Sequence, residues 1–377
     1  MSATQMAGKR KARKYQGHGE SSRESCRGSL PVRSRPVRAA CSSSSGTRRS
    51  AERMWENYKN VENILYVNIA VIGVPVNVVA IAILSQGKCG LSNCTTRYLV
   101  AMAAADLLVI ITEVILFRIN YHYFPRSFLS ITYVCRVMLA LVPSATNCSV
   151  WFTVNFTFDR FVAICCQRLK TKYCSGKTAA VVLSVTGVLL CLKNVPFYFA
   201  YKPAVIINNV PWFCRTIDIV YTDPRWVGFD WFDTILTPLL PFAVILLLNT
   251  LTVRHILVSS RVRKELRGRR NGEKHSDPEL ESRKRSVVLL FTLSGSFILL
   301  WLTTVAEFIY YQITGTAANR SDSEMIFHRV GYLLSNASCC TNTFIYAVTQ
   351  SKFREEVKRA VKYPVTSVFR IIKKYWL

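Results

Sequence analysis

Seven runs of apolar residues, each about as long as a bilayer is thick, constrain this chain more than any other feature. A spanning helix needs about 20 consecutive apolar residues. Residues 61–84 contain one charge, Glu62, at the edge, and residues 98–117 are apolar apart from Asp106 and Glu113. Residues 178–201 carry only Lys193, while 137–158, 234–253, 286–306 and 330–351 carry no charge. One such run would serve as the buried helix of a soluble protein. Seven leave too little polar sequence to cover them. The expected fold class is therefore an all-α membrane protein, a seven-transmembrane helix bundle in which each segment satisfies its own backbone hydrogen bonds.

The division that follows is a basic tail at 1–60, the seven-helix domain at 61–350 and a short amphipathic eighth helix with a basic tail at 351–377. In that last segment Phe353, Val357, Ala360 and Val361 fall on one helical face.

Net charge orients the bundle. The chain has 377 residues, is 50% hydrophobic, and still carries +27. With the N-terminus outside, the inner segments hold 25 Lys or Arg and the outer loops seven. That asymmetry places the C-terminus in the cytoplasm. A multi-pass plasma-membrane protein is expected, with its basic inner face available to anionic lipid. Residues 1–53 disagree with this pattern, at net +10 on the outer side. Their Ser, Arg and Gly content reads as disordered, and no apolar h-region marks a signal peptide. A start at Met54 is an equal alternative, leaving a chain of +17. No nucleic-acid partner is expected, since the basic tail has neither aromatic interleaving nor a folded module.

Polar residues inside the spans narrow the class. The last run has no Lys for a retinal Schiff base, no repeat relates the two halves, and Asp106 and Glu113 alone do not form an ion relay. The HExxH, GxSxG and GxxxxGK[ST] patterns are absent, so no enzyme is expected.

The motifs that are present resemble the rhodopsin-like (class A) G-protein-coupled receptors over about residues 61–362. They comprise Gly73-Val-Pro-Val-Asn77, Asp106-Leu in the second run, Cys135 and Asp159-Arg160-Phe161 at the ends of the third, Pro241, Phe297 with Trp301, and Asn342-Thr-Phe-Ile-Tyr346. Cys135 and Arg160 are 25 residues apart, as in the family. More narrowly, Trp151-Phe-Thr-Val, Asn194-Val-Pro-Phe-Tyr and Cys340-Thr-Asn-Thr-Phe-Ile-Tyr resemble the orphan branch of probable G-protein coupled receptor 139. That branch implies an aromatic amino-acid agonist and Gq-class coupling.

The resemblance also implies residue roles. Cys135 and Cys214 would form a disulfide. Asp159, Arg160 and Tyr346 would make the G-protein switch. Asn77, Asp106, Ser149, Ser338 and Asn342 would make a polar core, with a sodium ion at Asp106 or, alternatively, a hydrogen-bonded structural carboxyl. The ligand pocket, for a small-molecule or peptide agonist, would draw on Glu113, Arg136, Val142, Trp301, Glu307 and Phe308. Val142 stands where amine receptors carry an acid. Arg136 would pair a carboxylate and Glu113 or Glu307 an ammonium; an interhelical pair or a loop-facing charge is the equal alternative for each.

Several positions depart from the pattern. Thr303 and Thr343 replace prolines, which predicts a straighter sixth helix near Trp301. Asn249 stands where many members have Tyr, and Arg283 where some have an acid, so the inactive lock is expected to rest on Asp159 alone. Of five Asn-x-Ser/Thr sequons, Asn319 is the one expected in an outer loop, and is the glycosylation candidate. A transporter or channel, or a signalling-silent receptor-like partner, remains the alternative to a receptor.

Overall fold

A computed structural model describes residues 36–268, 278–314, 322–360 and 362. Seven long helices form the bundle. α1 is Pro36–Ser85. α2 starts at Asn93, runs through a π-wound stretch at Ile110–Ile119 and ends at Tyr123. α3 is Thr132–Cys165 and α4 is Gly176–Asn194. A hairpin follows, β1 (Tyr201–Ile207) against β2 (Val210–Thr216). α5 runs from Pro224 to Gly268 through an irregular turn around Thr237. α6 is Pro278–Thr314 and α7 is Asp322–Thr349. Residues 351–360 form α8.

Six of the helices are apolar enough to cross a membrane by length and composition, from Tyr58–Ser85 to Lys284–Tyr310. α7 is as long but more polar, carrying His328, Arg329, Ser335, Asn336, Asn342 and Thr343. The helices overrun the apolar runs at both ends, since helical hydrogen bonding continues beyond the hydrocarbon zone. Val181, Val185, Val188, Leu189 and Leu192 of α4 are all more than half exposed. Such a belt is unfavourable in water and at home in lipid.

Local signals explain the boundaries. Ser92 Oγ accepts the Thr95 N–H at the start of α2, and Ser175 Oγ accepts the Thr178 N–H at the start of α4. Gly87, at φ +69°, follows the end of α1 in the left-handed conformation that glycine adopts without strain. The hairpin turns through Asn208 and Asn209, both at positive φ, the requirement of a two-residue type I′ loop. Runs of apolar residues did not reveal this hairpin; the Asn-Asn pair between β-branched residues was the available signal.

Two expectations need correction. The tail read as disordered to residue 60 is helical from Pro36 onward. Its composition forbids a core but not a helix, and extending an existing span avoids the nucleation cost. Residues 1–35 lie outside the described residues, as do Asn319 and residues 363–377. In α8, Phe353 is fully buried and Val357 half-buried, but Ala360 is exposed; Val361 lies outside the described side chains.

Close approach of α1 to its neighbours depends on Gly73. A Cβ there would lie 2.5 Å from Ile110 Cδ1 and 2.7 Å from Cys340 Sγ. One turn later, Asn77 Nδ2 donates to the Gly73 and Cys339 carbonyls, each at 2.9 Å, tying α1 to α7.

Candidate functional site

Three polar clusters lie along the bundle. At the end away from the hairpin, Asp159 and Arg160 close α3. The Arg160 guanidinium bonds Asp159 Oδ2 through Nε at 3.0 Å and again through Nη2, and both side chains are buried. Arg160 Nη1 also donates to Ser286 Oγ of α6 at 3.4 Å. Arg160, expected to be held by Asp159 alone, therefore has a second contact, on α6. Asn249 faces α6 rather than Arg160: its Nδ2 donates to Ser294 Oγ at 2.7 Å.

Two thiols also hold the acid. Cys94 Sγ of α2 donates to Asp159 Oδ1 at 3.0 Å, and Cys174 Sγ, from the loop before α4, approaches the Asp159 carbonyl at 3.7 Å. Burial and the neighbouring Asp159 push the Cys174 thiol up to about 11. It stays a thiol at neutral pH, a donor and not a nucleophile. Tyr346 is buried against Phe353 of α8, ring centroids 6.0 Å apart, and its hydroxyl has no hydrogen-bond partner among the described residues. The structure thus brings Asp159 and Arg160 together but gives Tyr346 a different neighbour.

Mid-bundle, Asp106 is wholly buried. Its Oδ1 accepts Ser149 Oγ at 2.5 Å and its Oδ2 accepts Asn342 Nδ2 at 2.7 Å. Asn77 and Ser338, expected around it, bond elsewhere. Ser338 donates to the Ser335 carbonyl at 2.6 Å and accepts Trp301 Nε1 at 3.3 Å. Trp301 stacks on Phe297, centroids 5.5 Å apart. A small cavity lies among these groups, lined by Ser149, Thr153, Ser296, Ser338, Thr341 and Asn342. Both Asp106 oxygens accept hydrogen bonds, from a hydroxyl and an amide N–H, and its carboxylate does not line this cavity; the hydroxyls of Ser149, Ser338 and Thr341 are the hard oxygens a small cation would use there. α6 and α7 run unbroken through Thr303 and Thr343.

At the hairpin end, the Cys135–Cys214 disulfide ties α3 to β2 across a Cα separation of 6.2 Å. Thr132 Oγ1 adds a bond to the Phe213 carbonyl at 2.8 Å. Burial pushes the Tyr201 phenol on β1 up to about 12, so it stays neutral. Val142 is buried, and Phe308 packs edge-on against Trp231. Arg136 is half-buried with its guanidinium over the Tyr198 ring; among the described residues it has no ion pair, and its Nε has no acceptor.

Both acids expected in the pocket are already engaged. Glu113 accepts Arg118 Nε at 2.7 Å, and Glu307 meets His328 Nδ1 at 2.5 Å. Glu62 accepts Arg329 at 2.5 Å. Sequence reasoning missed Arg118, His328, Arg329 and Glu62 as site residues. Glu113 and Arg118 are five apart, which in an α-helix puts them on different faces. The π winding of residues 110–119 brings them side by side, and helical periodicity carries no sign of it.

Comparison with known proteins agrees with this geometry. A family model described as 7 transmembrane receptor (rhodopsin family) matches residues 76–346. Similar proteins include the compound eye opsin BCRH1 of Hemigrapsus sanguineus, 23% identical, covering 80% of each chain. The cysteinyl leukotriene receptor 1 of Cavia porcellus is 22% identical, covering 74% of this chain and 77% of its own. The atypical chemokine receptor 3 of Rattus norvegicus is 23% identical, over 79% and 78%. Their names span very different signals, so likeness at this level assigns a family and not a ligand. With its seven helices, its Asp159–Arg160 pair and a family match over most of its length, the chain belongs to the rhodopsin family of seven-transmembrane receptors.

Proposed function

We propose that this receptor sits in the plasma membrane with its hairpin end outside, binds an aromatic amino-acid-like agonist there, and passes the signal to heterotrimeric G proteins of the Gq class. The observation that carries the ligand reading is Arg136. A half-buried guanidinium over Tyr198, without an ion pair among the described residues, suits a ligand carboxylate beside an aromatic surface. Trp301 and Phe308 supply further aromatic wall.

In this reading the agonist favours a bundle in which Trp301 and Ser338 rearrange and the Arg160 contacts to Asp159 and Ser286 open. Arg160 then meets the G protein. An agonist acts only through its differential affinity for the two arrangements. Asp106, Ser149 and Ser338 would hold a sodium ion in the closed arrangement, and the ion would offset the buried carboxylate charge. The basic inner face would also attract anionic lipid.

The test is a calcium and cAMP screen against free amino acids in cells, with Arg160→Ala as control. Tryptophan or phenylalanine should raise calcium in the parent and not in the variant. A response that survives Arg160→Ala would overturn the switch assignment. A second reading, a receptor-like protein silent by itself, draws on Thr303 and Thr343, which leave α6 and α7 without their proline kinks. Silence toward every amino acid, with normal surface expression, would favour it.

A further inference from the structure

The Arg160 guanidinium is held unequally on its two sides. Its Nε and Nη2 bond Asp159 Oδ2, while Nη1 meets only Ser286 Oγ of α6 among the described residues, at 3.4 Å. A guanidinium carries five N–H donors in a planar fork that fits two oxygens at once. On the Nη1 side one neutral hydroxyl serves that fork, at a distance long for an N–H···O bond. The same position suits a larger, charged acceptor.

The sequence around that hydroxyl points the same way. Arg283, Lys284 and Arg285 directly precede Ser286. Lys284 and Arg285 are exposed, and Ser286 is half-buried. Consecutive cations just before a hydroxyl suit the acidic peptide groove of a basophilic Ser/Thr kinase, because charge pattern sets the choice between kinase and substrate. Ser286 is also the first residue of the charge-free run 286–306. The turns of α6 before it therefore lie outside the hydrocarbon, where a helix end opens locally at little cost.

We propose that Ser286 is a phosphorylation site for a basophilic kinase, and that its phosphate captures Arg160. The inference rests on the reading that the Arg160 end is the cytoplasmic switch, and adds a modification that closes it. Ser286 Oγ attacks the γ-phosphorus of ATP. The new O–P bond forms as the bond to the β-phosphate oxygen breaks, ADP leaves, and the hydroxyl proton passes to the base of the kinase. The product carries about −1.5 to −2 charges and three acceptor oxygens. These replace one weak hydroxyl contact to Nη1 with charge-assisted bonds. Asp159 keeps Nε and Nη2, so one cation is shared by anions from α3 and α6, which offsets their mutual repulsion. In the closed bundle the Arg160 contact covers Ser286, and opening exposes it. Receptor that has opened is thus the better kinase substrate, and the phosphate returns it to the closed arrangement.

The test uses the purified full chain in nanodiscs with a basophilic kinase and Mg-ATP, the site mapped by mass spectrometry and unfolding followed on heating. A phosphate should appear on Ser286, several times faster in Asp159→Asn than in the parent. The phosphorylated parent should unfold about 2–4 °C above the unmodified protein, and phosphatase should reverse the rise. Arg160→Gln should take up the phosphate without the rise. Ser286→Ala should show no rise, even if Thr171, which follows Arg168 and Lys170, is labelled. An unchanged unfolding temperature in the phosphorylated parent, a measurement that needs no variant, would overturn the proposal. So would an equal rise in folded Arg160→Gln, or Ser286 left unmodified in both the parent and Asp159→Asn. Equal labelling rates in those two would overturn the dependence on opening. Nanodiscs expose both faces, so labelling does not depend on orientation, which antibody access to a C-terminal tag on intact cells reads separately. Nucleotide exchange is also read separately. An Arg160-dependent rise with unchanged exchange would sink the reading that Arg160 meets the G protein and leave this site standing; no rise, with exchange lost in Arg160→Ala, would do the reverse.

Discussion

The two ends of the bundle use buried charge in opposite ways. At the Asp159–Arg160 end, one acid and one base are neighbours on one helix, and Cys94 of α2, Cys174 of the loop before α4 and Ser286 of α6 add weak contacts. At the hairpin end, three acids pair with residues from other helices or across a π turn. Weak contacts around a local pair can be exchanged at little cost, which suits a switch. Ion pairs that cross helices hold those helices in place, so breaking one destabilises the bundle. Substitutions at the hairpin end should therefore act mainly on stability, and substitutions at the other end mainly on signalling.

The largest effect is expected for Arg118→Ala. Removing one partner of a buried pair costs about 3–5 kcal/mol, so the variant should unfold at much lower temperature in nanodiscs. Arg118→Ala combined with Glu113→Gln should recover most of the loss. An unchanged unfolding temperature in the single variant would break the contrast. Gly73→Val comes next. Its new atoms meet Ile110 and Cys340 at distances that force the helices apart, a cost of about 1–3 kcal/mol. Reduced surface expression and an earlier unfolding transition should both follow.

How much of this was legible depended on distance along the chain. The seven spans were visible because each is a contiguous run, and Asp159-Arg160 because the two residues adjoin. Ser149 and Asn342, expected near Asp106 from family position, hydrogen-bond its carboxylate. Ser338, expected there too, instead donates to the Ser335 carbonyl and accepts from Trp301, a rotamer outcome that spacing does not encode. The pairs 62–329 and 307–328 join residues on different helices, and 113–118 depends on a local change of helical winding. His328, counted as uncharged, carried no signal in a charge tally.

Smaller effects sharpen the other half of the comparison. Cys94→Ala removes one hydrogen bond to the Asp159 carboxylate, worth about 1 kcal/mol. Agonist-free signalling should rise about fivefold, with the unfolding temperature nearly unchanged. Cys94→Ser, which keeps a donor, should stay near the parent. A drop in stability without any change in basal signalling would mean that the thiol only packs. Least affected should be the hairpin turn. Replacing Asn208 and Asn209 with Ala puts a less tolerant residue at positive φ, at about 1 kcal/mol each. Faster hydrogen exchange at the Ile207 and Val210 amides should result, with Gly at both positions restoring protection.

The central claim is that the Asp159–Arg160 pair holds the receptor closed and that Arg160 carries the signal when it opens. Nucleotide exchange on a Gq-class G protein, measured with purified receptor in nanodiscs without agonist, tests this directly. Asp159→Asn should raise exchange severalfold above the parent, and Arg160→Ala should reduce it to the level of empty nanodiscs, with both variants unfolding at the parent's temperature. Equal exchange from the parent and both folded variants would contradict the account.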